Sequence, residues 1–510
     1  MVKKKKVCIL FVLFIVMTFM QSIIVMGDEM NKDKKLTILY YCDADNDLEE
    51  DLLNDIEEMK KGYNNNTNLN LIALVDRSPR YSCNPVVLGE DFDDTRLYKI
   101  EHNSVERLDG GNEFPEITLN SNYEANMGDP ETLKKFINYG KANYKADKYV
   151  LIISNHGNGA KDKKKKKLSK AVCWDDSHDD GNGSDCLYIG EISDYLTEEQ
   201  SVDVLVFDAC LMGTAEVAYQ YRPGNGNFSA DAMIASSPRV WAEGFKYDKI
   251  FSRIKGGKGC SEEEDLTLGG KEQTFDPSTI TNEQLGALFI EEQRDALKEK
   301  WRNDQQLSYY DLNKMEEVKR SVDELAVNLS SENKKEQICN LRGRKRKTTL
   351  IHYFDKSDED DWCKYPYFDL YDLCEQVSIN KNFNEITQKL ALKVMNNIDN
   401  MIVYSFSGDL FKGTHKFMEG KNGISIFFPD GDGEIIEEYT GYKFTHWETQ
   451  GWYNSIDTRK VGIENSYGKL KWCQDGRNSE INKVGNWFEL LDSWFDKTNN
   501  KNGGVNHYQW

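Results

Sequence analysis

Two apolar runs in this chain end in side chains that can carry out acyl transfer: Tyr149-Val-Leu-Ile-Ile-Ser-Asn-His156-Gly157 and Val202-Asp-Val-Leu-Val-Phe-Asp208-Ala-Cys210. A thiolate attacks a carbonyl carbon, and an imidazole takes the thiol proton and later delivers it to the leaving amine. Cys210 is therefore the candidate nucleophile and His156 its candidate base. The backbone N–H groups of Gly157 and Cys210 are candidates for an oxyanion hole, since glycine lets the main chain come close to a substrate carbonyl. Leu211, Ala215, Ala218 and Tyr219 follow at helical spacing. That pattern predicts a thiol on a strand-to-helix turn, where the helix N-terminus and the imidazole would lower its pKa. Periodicity alone leaves open the plainer alternative of a buried core thiol and a hydrogen-bonded strand-end histidine.

Such a pair needs a scaffold that brings two strand ends to one rim. The chain repeats one unit: a β-branched run, a polar loop, an amphipathic stretch. Leu36 to Tyr41 leads into Asp43-Ala-Asp-Asn-Asp47 and then a helix marked by Leu48, Leu52, Leu53, Ile56 and Met59. Leu69 to Val75, Tyr149 to Ser154, Val202 to Phe207 and Ala232 to Ser237 read as further strands. Asp129 and Pro130 mark a helix start before the His156 strand. Alternating strands and helices predict an α/β fold with a mostly parallel sheet covered on both faces, and ligands of such sheets bind at the carboxyl ends of the strands. Residues 282–341 read as one long helical region. Tyr365 to Leu373 and Gly423 to Pro429 read as elements that extend the sheet, and Trp487 to Phe495 as a packing helix.

Composition bounds where the molecule works. Residues 1–27 carry Lys3 to Lys6, an apolar stretch from Val7 to Met20 and a small-residue ending, the pattern of a secretory signal peptide. No later stretch approaches the roughly 18 apolar residues a membrane helix needs, so a secreted, extracellular protein is expected, without a membrane partner. Removing the four signal lysines takes the formal net charge from -21 to -25. That acidity argues against nucleic acid and for cationic substrates or bound cations, with plain solubility as the other reading. Of the 11 cysteines, those beyond the signal show no regular spacing and no Cys-x-x-Cys. Neither a disulfide framework nor a zinc site is expected, and Cys210 should be a free thiol.

One segment stands apart: Lys161-Asp-Lys-Lys-Lys-Lys-Lys-Leu-Ser-Lys170, between the His156 and Cys210 strands. It reads either as a solvated loop or as a processing site, because exposed basic loop tips are favoured places for nicking.

The strand ending His-Gly followed by one ending Ala-Cys resembles the clan of cysteine peptidases that contains caspases, legumains and gingipains. Tyr40-Tyr-Cys-Asp-Ala-Asp-Asn46, Ala73-Leu-Val-Asp-Arg-Ser-Pro-Arg-Tyr81, Phe207-Asp-Ala-Cys-Leu-Met-Gly-Thr-Ala-Glu216 and Gly503-Gly-Val-Asn-His-Tyr-Gln-Trp510 are similar to the C11, or clostripain, family of that clan, over essentially the whole mature chain. The resemblance implies a caspase-like three-layer α/β/α sandwich with a helical and mixed C-terminal extension. It implies an endopeptidase cutting after Arg, less well after Lys, through a thioester, with His156 and Cys210 as the dyad. Asp208 resembles the acidic residue that binds the P1 side chain, and a carboxylate beside the thiol can hold a guanidinium bidentately; a structural anchor is the other reading. Ser236-Ser-Pro-Arg-Val-Trp241 is similar to the segment beside the substrate backbone, so Ser237 and Trp241 are possible subsite residues.

The resemblance further implies a zymogen: residues 28–35 a short propeptide, 36–160 a light chain, 161–170 a linker, 171–255 the part of the heavy chain with the nucleophile, and 256–510 its remainder. The cut would fall between Lys170 and Ala171, and the two chains would associate noncovalently. The linker holds no arginine, so self-cleavage requires acceptance of lysine. Calcium stimulation is implied too. Asp43 to Asp47 and Asp175 to Asp185 offer hard oxygens, and Asp180, Asn182, Ser184 and Glu191 fit an EF-hand count, but Asp185 stands where that loop needs glycine. The metal ligands are left unassigned. A noncatalytic exported protein that holds basic peptides or calcium on its acidic rim is the alternative.

Overall fold

The computed structural model describes residues 35–160, 172–178, 185–256, 273–300, 305–343, 348–354, 365–408, 415–429, 434–436, 443–445, 467–480 and 482–495. Residues 1–34, with the signal and all but the last residue of the propeptide, the lysine-rich linker with Lys170 and Ala171, residues 180–184 of the EF-hand count and the closing Gly503–Trp510 motif lie outside them.

The five runs read as strands are strands, β1 (Leu36–Ala44), β2 (Leu69–Arg77), β5 (Lys148–Ser154), β8 (Val202–Asp208) and β9 (Ala230–Ala235), and the fold adds β3 (Thr95–Glu101), β4 (Ser104–Leu108), β6 (Val172–Asp175), β7 (Asp185–Leu187), β10 (Gln306–Asp311), β11 (Tyr367–Asp369), β12 (Ile402–Ser407) and β13 (Ser425–Phe427). Nine form one sheet in the order β12-β10-β9-β8-β5-β1-β2-β3-β4. Its centre, β9-β8-β5-β1-β2, is parallel, and antiparallel strands flank it on both sides. From β1 the chain first goes to β2 on one side, then to β5 on the other. That reversal opens a crevice at the carboxyl ends of β1 and β5, the usual ligand position of an open α/β sheet.

Side chains alternate between two cores, as a pleated strand requires. Ile38, Tyr40, Val150, Ile152, Val204 and Val206 face one core with helices α1 (Glu49–Gly62), α5 (Tyr247–Arg253) and α6 (Asn282–Lys300). Leu39, Tyr41, Leu151, Ile153, Leu205 and Phe207 face the other, which holds α2 (Pro130–Asn143), α3 (Ile189–Tyr195), α4 (Ala215–Gln220), α7 (Met315–Ser331) and the later helices. The result is the expected three-layer α/β/α sandwich of caspase-like kind. Asp129 caps α2, its side chain accepting the Glu131 N–H, with Pro130 at the first helical position.

Two expectations fail. The region 282–341 is interrupted by β10, whose Gln-Leu-Ser-Tyr-Tyr-Asp sequence pairs antiparallel with β9 and β12. Residues 365–373 and 423–429 do not extend the main sheet; β11 and β13 pair with each other in a small separate sheet. The helix Trp487–Phe495 does pack, with Trp487 edge-on to Phe428 at 5.4 Å. No helix among the described residues is long and apolar enough to cross a membrane.

Candidate active site

Register brings the chemistry together. Ser154 of β5 lies opposite Cys42 of β1 and Asp208 of β8, and the Asn155 N–H donates to the Asp208 carbonyl at 3.2 Å, carrying the ladder one residue further. His156 and Cys210, each two residues beyond those strand ends, emerge side by side on the rim. Asn155 fixes the exit of the chain: its Nδ2 donates to the Asp43 carbonyl at 2.6 Å, while its Oδ1 accepts the His156 N–H.

Gly157 lies flush against Cys210. A Cβ there would stand 2.3 Å from the Cys210 carbonyl oxygen and 2.9 Å from its nitrogen, so only glycine fits. The Gly157 N–H points at the Cys210 sulfur, and the Val240 N–H donates to the same sulfur at 3.3 Å.

The helix expected directly after Cys210 is not there. Leu211 instead turns the chain in the left-handed region at φ 66°, a conformation costing a non-glycine residue about 1–3 kcal/mol. The Leu211 N–H donates to the Pro238 carbonyl and the Gly213 N–H to the Ser236 carbonyl, both at 2.8 Å. Helix α4 starts only at Ala215, capped by Thr214. These amides serve the segment after β9, so no helix N-terminus lowers the thiol pKa. Burial pushes it above its ordinary value instead, opposed by the Val240 and Gly157 N–H groups and by Arg239. Cys210 is free, as are the other described cysteines.

Two groups missed in the sequence engage the imidazole. Asp47 Oδ1 lies 2.8 Å from His156 Nε2, and the Trp174 ring packs on the imidazole with centroids 5.1 Å apart. Trp174 reaches that position because β6 carries a bulge at Cys173, φ 56°.

Clefts open on both sides of the pair. One, of about 210 Å³, is lined by Cys210, His156, Asp208, Asp55, Trp241 and Gly244 among others. The second, about 470 Å³, also includes Cys210 and His156, with Gly157, Trp174, Arg239 and Tyr365. In the smaller cleft Asp208 accepts the Tyr247 hydroxyl at 2.8 Å and the Phe245 N–H at 3.4 Å, and burial pushes its carboxyl up to about 7. Asp55, also missed, faces it from α1. Buried completely, it accepts the Tyr40 hydroxyl at 3.5 Å, and its Oδ1 has no hydrogen-bond partner among the described residues. Burial first, then the Asp208 charge, raises its carboxyl well above the ordinary range. Gly244, at φ 57°, keeps the space between them open: a Cβ would lie 2.7 Å from an Asp55 oxygen and 3.0 Å from Asp208 Oδ2.

Of the possible subsite residues, Trp241 is 43% exposed and lines this cleft. Ser237 does not fit that expectation. It is fully buried, its hydroxyl donates to the Gly213 carbonyl at 2.6 Å and the Gly423 carbonyl at 3.0 Å, and its N–H donates to Gln306.

Behind the imidazole, the two acidic loops noted in the sequence converge. Asp45, Asp76, Glu124 and Asp175 each offer a carboxylate oxygen, all within 4.8 Å of one another.

The chain matches the Clostripain family over residues 40–494. It is 67% identical over 481 residues to clostripain from Hathewaya histolytica, spanning 94% of this chain and 90% of that protein. Among solved structures, a secreted C11 cysteine protease from Bacteroides thetaiotaomicron in complex with an irreversible peptide inhibitor shares the fold, with a TM-score of 0.50 and 15% identity over 86% of this chain and 98% of that one. The noncatalytic alternative is thereby set aside. With a thiol and an imidazole on one rim, and the family model spanning nearly all of the described sheet, the chain belongs to the clostripain family and is a cysteine endopeptidase.

Proposed function

We propose that this chain is a secreted endopeptidase that cuts after arginine, and less well after lysine, with Cys210 as nucleophile and His156 as base. The observation that carries the specificity is the smaller cleft. It opens beside Cys210 and ends between two buried carboxylates, Asp208 and Asp55, kept apart by a glycine. Two carboxylates in a confined space suit a planar guanidinium with its fork of donors better than an ammonium, which favours Arg over Lys. Lys246, whose positive charge acts on both carboxyls, is paired with Glu58 at 3.3 Å.

In this reading the thiol, held neutral by burial, gives its proton to His156 as the sulfur attacks the scissile carbonyl. The oxyanion develops toward the N–H groups of Gly157 and Cys210. The imidazolium then protonates the departing amine, leaving a thioester, and water activated by the same imidazole releases the acid. Asp47 holds one ring nitrogen and leaves the other for proton transfer.

The zymogen reading draws support from how tightly both sides of residues 161–170 are held. β5 and β8 pair from Val150↔Val204 to Ser154↔Asp208 inside one sheet. Past the linker, Val172 bridges to Gly157, the Asp176 N–H donates to the Asp45 carbonyl at 3.0 Å, and Asn46 Nδ2 donates to the Trp174 carbonyl at 2.9 Å. Each fully buried Val, Leu, Ile or Phe is worth about 1.5–3 kcal/mol, so the cut chains stay together without a disulfide.

Hydrolysis of matched arginyl, lysyl and citrullyl amides, before and after thiol alkylation, tests this function. Arginyl should exceed lysyl, citrullyl should fail, and alkylation should abolish all turnover. Turnover that survives complete alkylation of Cys210, or equal rates on citrullyl and arginyl amides, would sink the mechanism or the specificity respectively.

A further inference from the structure

The amino-terminal edge of the parallel strands, opposite the catalytic rim, carries a cavity of about 760 Å³, within the size range of ligand sites. It lies against the starts of β1, β5, β8 and β9, the end of antiparallel β10 and the first turn of α6. Five carboxylates line it: Asp147, Asp203, Asp231, Glu283 and Asp311. The β8–β9 register, Val202↔Ala230 and Val204↔Ala232, sets Asp203 beside Asp231, where like charges repel. Lys148 stands on the same wall, but its Nζ donates to the Ile280 carbonyl at 2.7 Å.

The fold fills some of these acceptors and leaves others. Asp147 accepts the Lys35 N–H at 3.1 Å, Asp203 the Tyr149 N–H at 2.7 Å and Asp311 the Asn313 N–H at 3.0 Å. The side chains of Asp231 and Glu283 make no hydrogen bond or ion pair among the described residues. Burial, then the charges of Asp203 and Asp311, pushes the Asp231 carboxyl above its ordinary value, against the opposing charge of Lys148. Tyr309, on the cavity wall, is 3% exposed, and its hydroxyl makes no hydrogen bond among the described residues. That hydroxyl feels the charges of Glu283, Asp311 and Asp231, which with burial raise its pKa. Asn282 Oδ1 is also buried without a partner among the described residues, while its Nδ2 donates to the Asp203 carbonyl at 3.4 Å.

Buried acceptors left unfilled in an acidic cavity suit a ligand that brings N–H donors and positive charge. One metal ion does not suit it, because among the described residues no three of these carboxylates bring oxygens within 4.8 Å of one another. Cations spaced along a chain do. We propose that this cavity binds a lysine-rich peptide segment, whose ammonium groups are held by Asp231, Glu283, the Tyr309 hydroxyl and Asn282 Oδ1. The site is separate from the cleavage specificity proposed above. The 7 residues of β5 and of β8, at ~3.3 Å each, put roughly 23 Å between cavity and rim. A basic polypeptide is thus held at a point remote from the bond being cut.

The test uses the full chain carrying Cys210→Ala, which cannot cut the probe, and dye-labelled tetralysine, at most ~14 Å long and too short to touch cavity and rim together. Fluorescence anisotropy should rise saturably at low salt, and affinity should fall more than about tenfold in about 1 M sodium chloride, where the Debye length is ~3 Å. Asp231→Asn should weaken binding about tenfold and Tyr309→Phe about threefold, the losses expected for a charged and a neutral hydrogen bond. Asp208→Asn should leave the affinity within about twofold. Asp231→Asn should melt no lower than its parent, since it relieves repulsion from Asp203, and with Cys210 restored neither cavity variant should change hydrolysis of a small arginyl amide. No saturable rise, unchanged binding in both cavity variants, or binding abolished by Asp208→Asn would overturn the site. Binding of spermine without binding of tetralysine would overturn its peptide character, and a changed amide rate in both cavity variants would overturn its separation from the rim.

Discussion

Asp47 Oδ1 and His156 Nε2 meet at 2.8 Å across a sequence separation of 109 residues. Asp47 is 70% exposed at its side chain and His156 29%, so this carboxylate orients the ring from the solvent side of the rim rather than from a dry interior. Such a partner resembles the third member of a triad in role but is screened by water.

A solvent-exposed contact of this kind is worth at most about 1 kcal/mol, so Asp47→Asn should lower kcat roughly fivefold, far from the ~10⁴ lost when a buried orienting carboxylate is replaced. kcat and kcat/KM should fall together, because orientation of the base matters in the transition state and not in substrate binding. Steady-state kinetics on an arginyl amide would show it. A rise in KM at constant kcat would instead assign Asp47 to substrate binding.

Burial sets the pH response of the cleft proposed to hold the P1 side chain. The folded carboxyl of Asp208 is pushed up to about 7, above the ordinary carboxylate range, so below pH 7 it is mostly neutral and cannot give a charge-assisted bond to a guanidinium. The sign follows directly: kcat/KM for arginyl substrates rises as pH passes upward through about 7, and Asp208→Asn removes that limb. A substrate with an uncharged P1 residue, cut slowly, should lack it. An identical limb for charged and uncharged P1 residues would assign the titration to another group.

Gly244 separates the two carboxylates, and Gly244→Ala would set a methyl 2.7 Å from Asp55 and 3.0 Å from Asp208. Arginyl kcat/KM should drop by more than about tenfold, equivalent to one charged hydrogen bond of ~1.5–3 kcal/mol. Alkylation of Cys210 by a small reagent should be unaffected, since the thiol lies outside the narrowed space. Equal losses in both assays would mean that the substitution disturbs the rim as a whole.

The centre of this fold was legible because β1, β2, β5 and β8 are buried on both faces and therefore read as continuous apolar runs. The flanking strands were not. Gln306–Asp311 alternates polar and aromatic residues and follows a strong helix, so its strand character comes from pairing with β9 and β12 and not from local pattern. The same contrast holds at the site. His156 and Cys210 could be found because they end apolar runs, whereas Asp55 is one polar residue on an amphipathic helix, its burial decided by α5 packing over it. Asp47 was visible only as part of an acidic loop, and its contact with His156 depends on the β1–β5 crossover. The expected helix after Cys210 failed because Leu211, a good helix former, is forced into a left-handed turn by backbone bonds to the segment after β9.

The linker prediction rests on where its ends are anchored. Val172 bridges to Gly157, and Gly157 is in contact with Cys210, so the described residues on the two sides of the linker meet at the active-site rim. Lys170 is two residues from Val172 in sequence, so a cut after it by the thiol of the same molecule is the expected route. Processing should follow first-order kinetics with a rate independent of protein concentration, and Cys210→Ala expressed alone should stay a single chain. Replacing the linker lysines by glutamine should block the cut while leaving the fold melting at the same temperature. The measurement is the rate of chain separation on denaturing gels over a hundredfold range of concentration, with N-terminal sequencing of the new heavy chain. A rate proportional to concentration would make cleavage intermolecular, and clean cutting of Cys210→Ala would remove self-processing altogether.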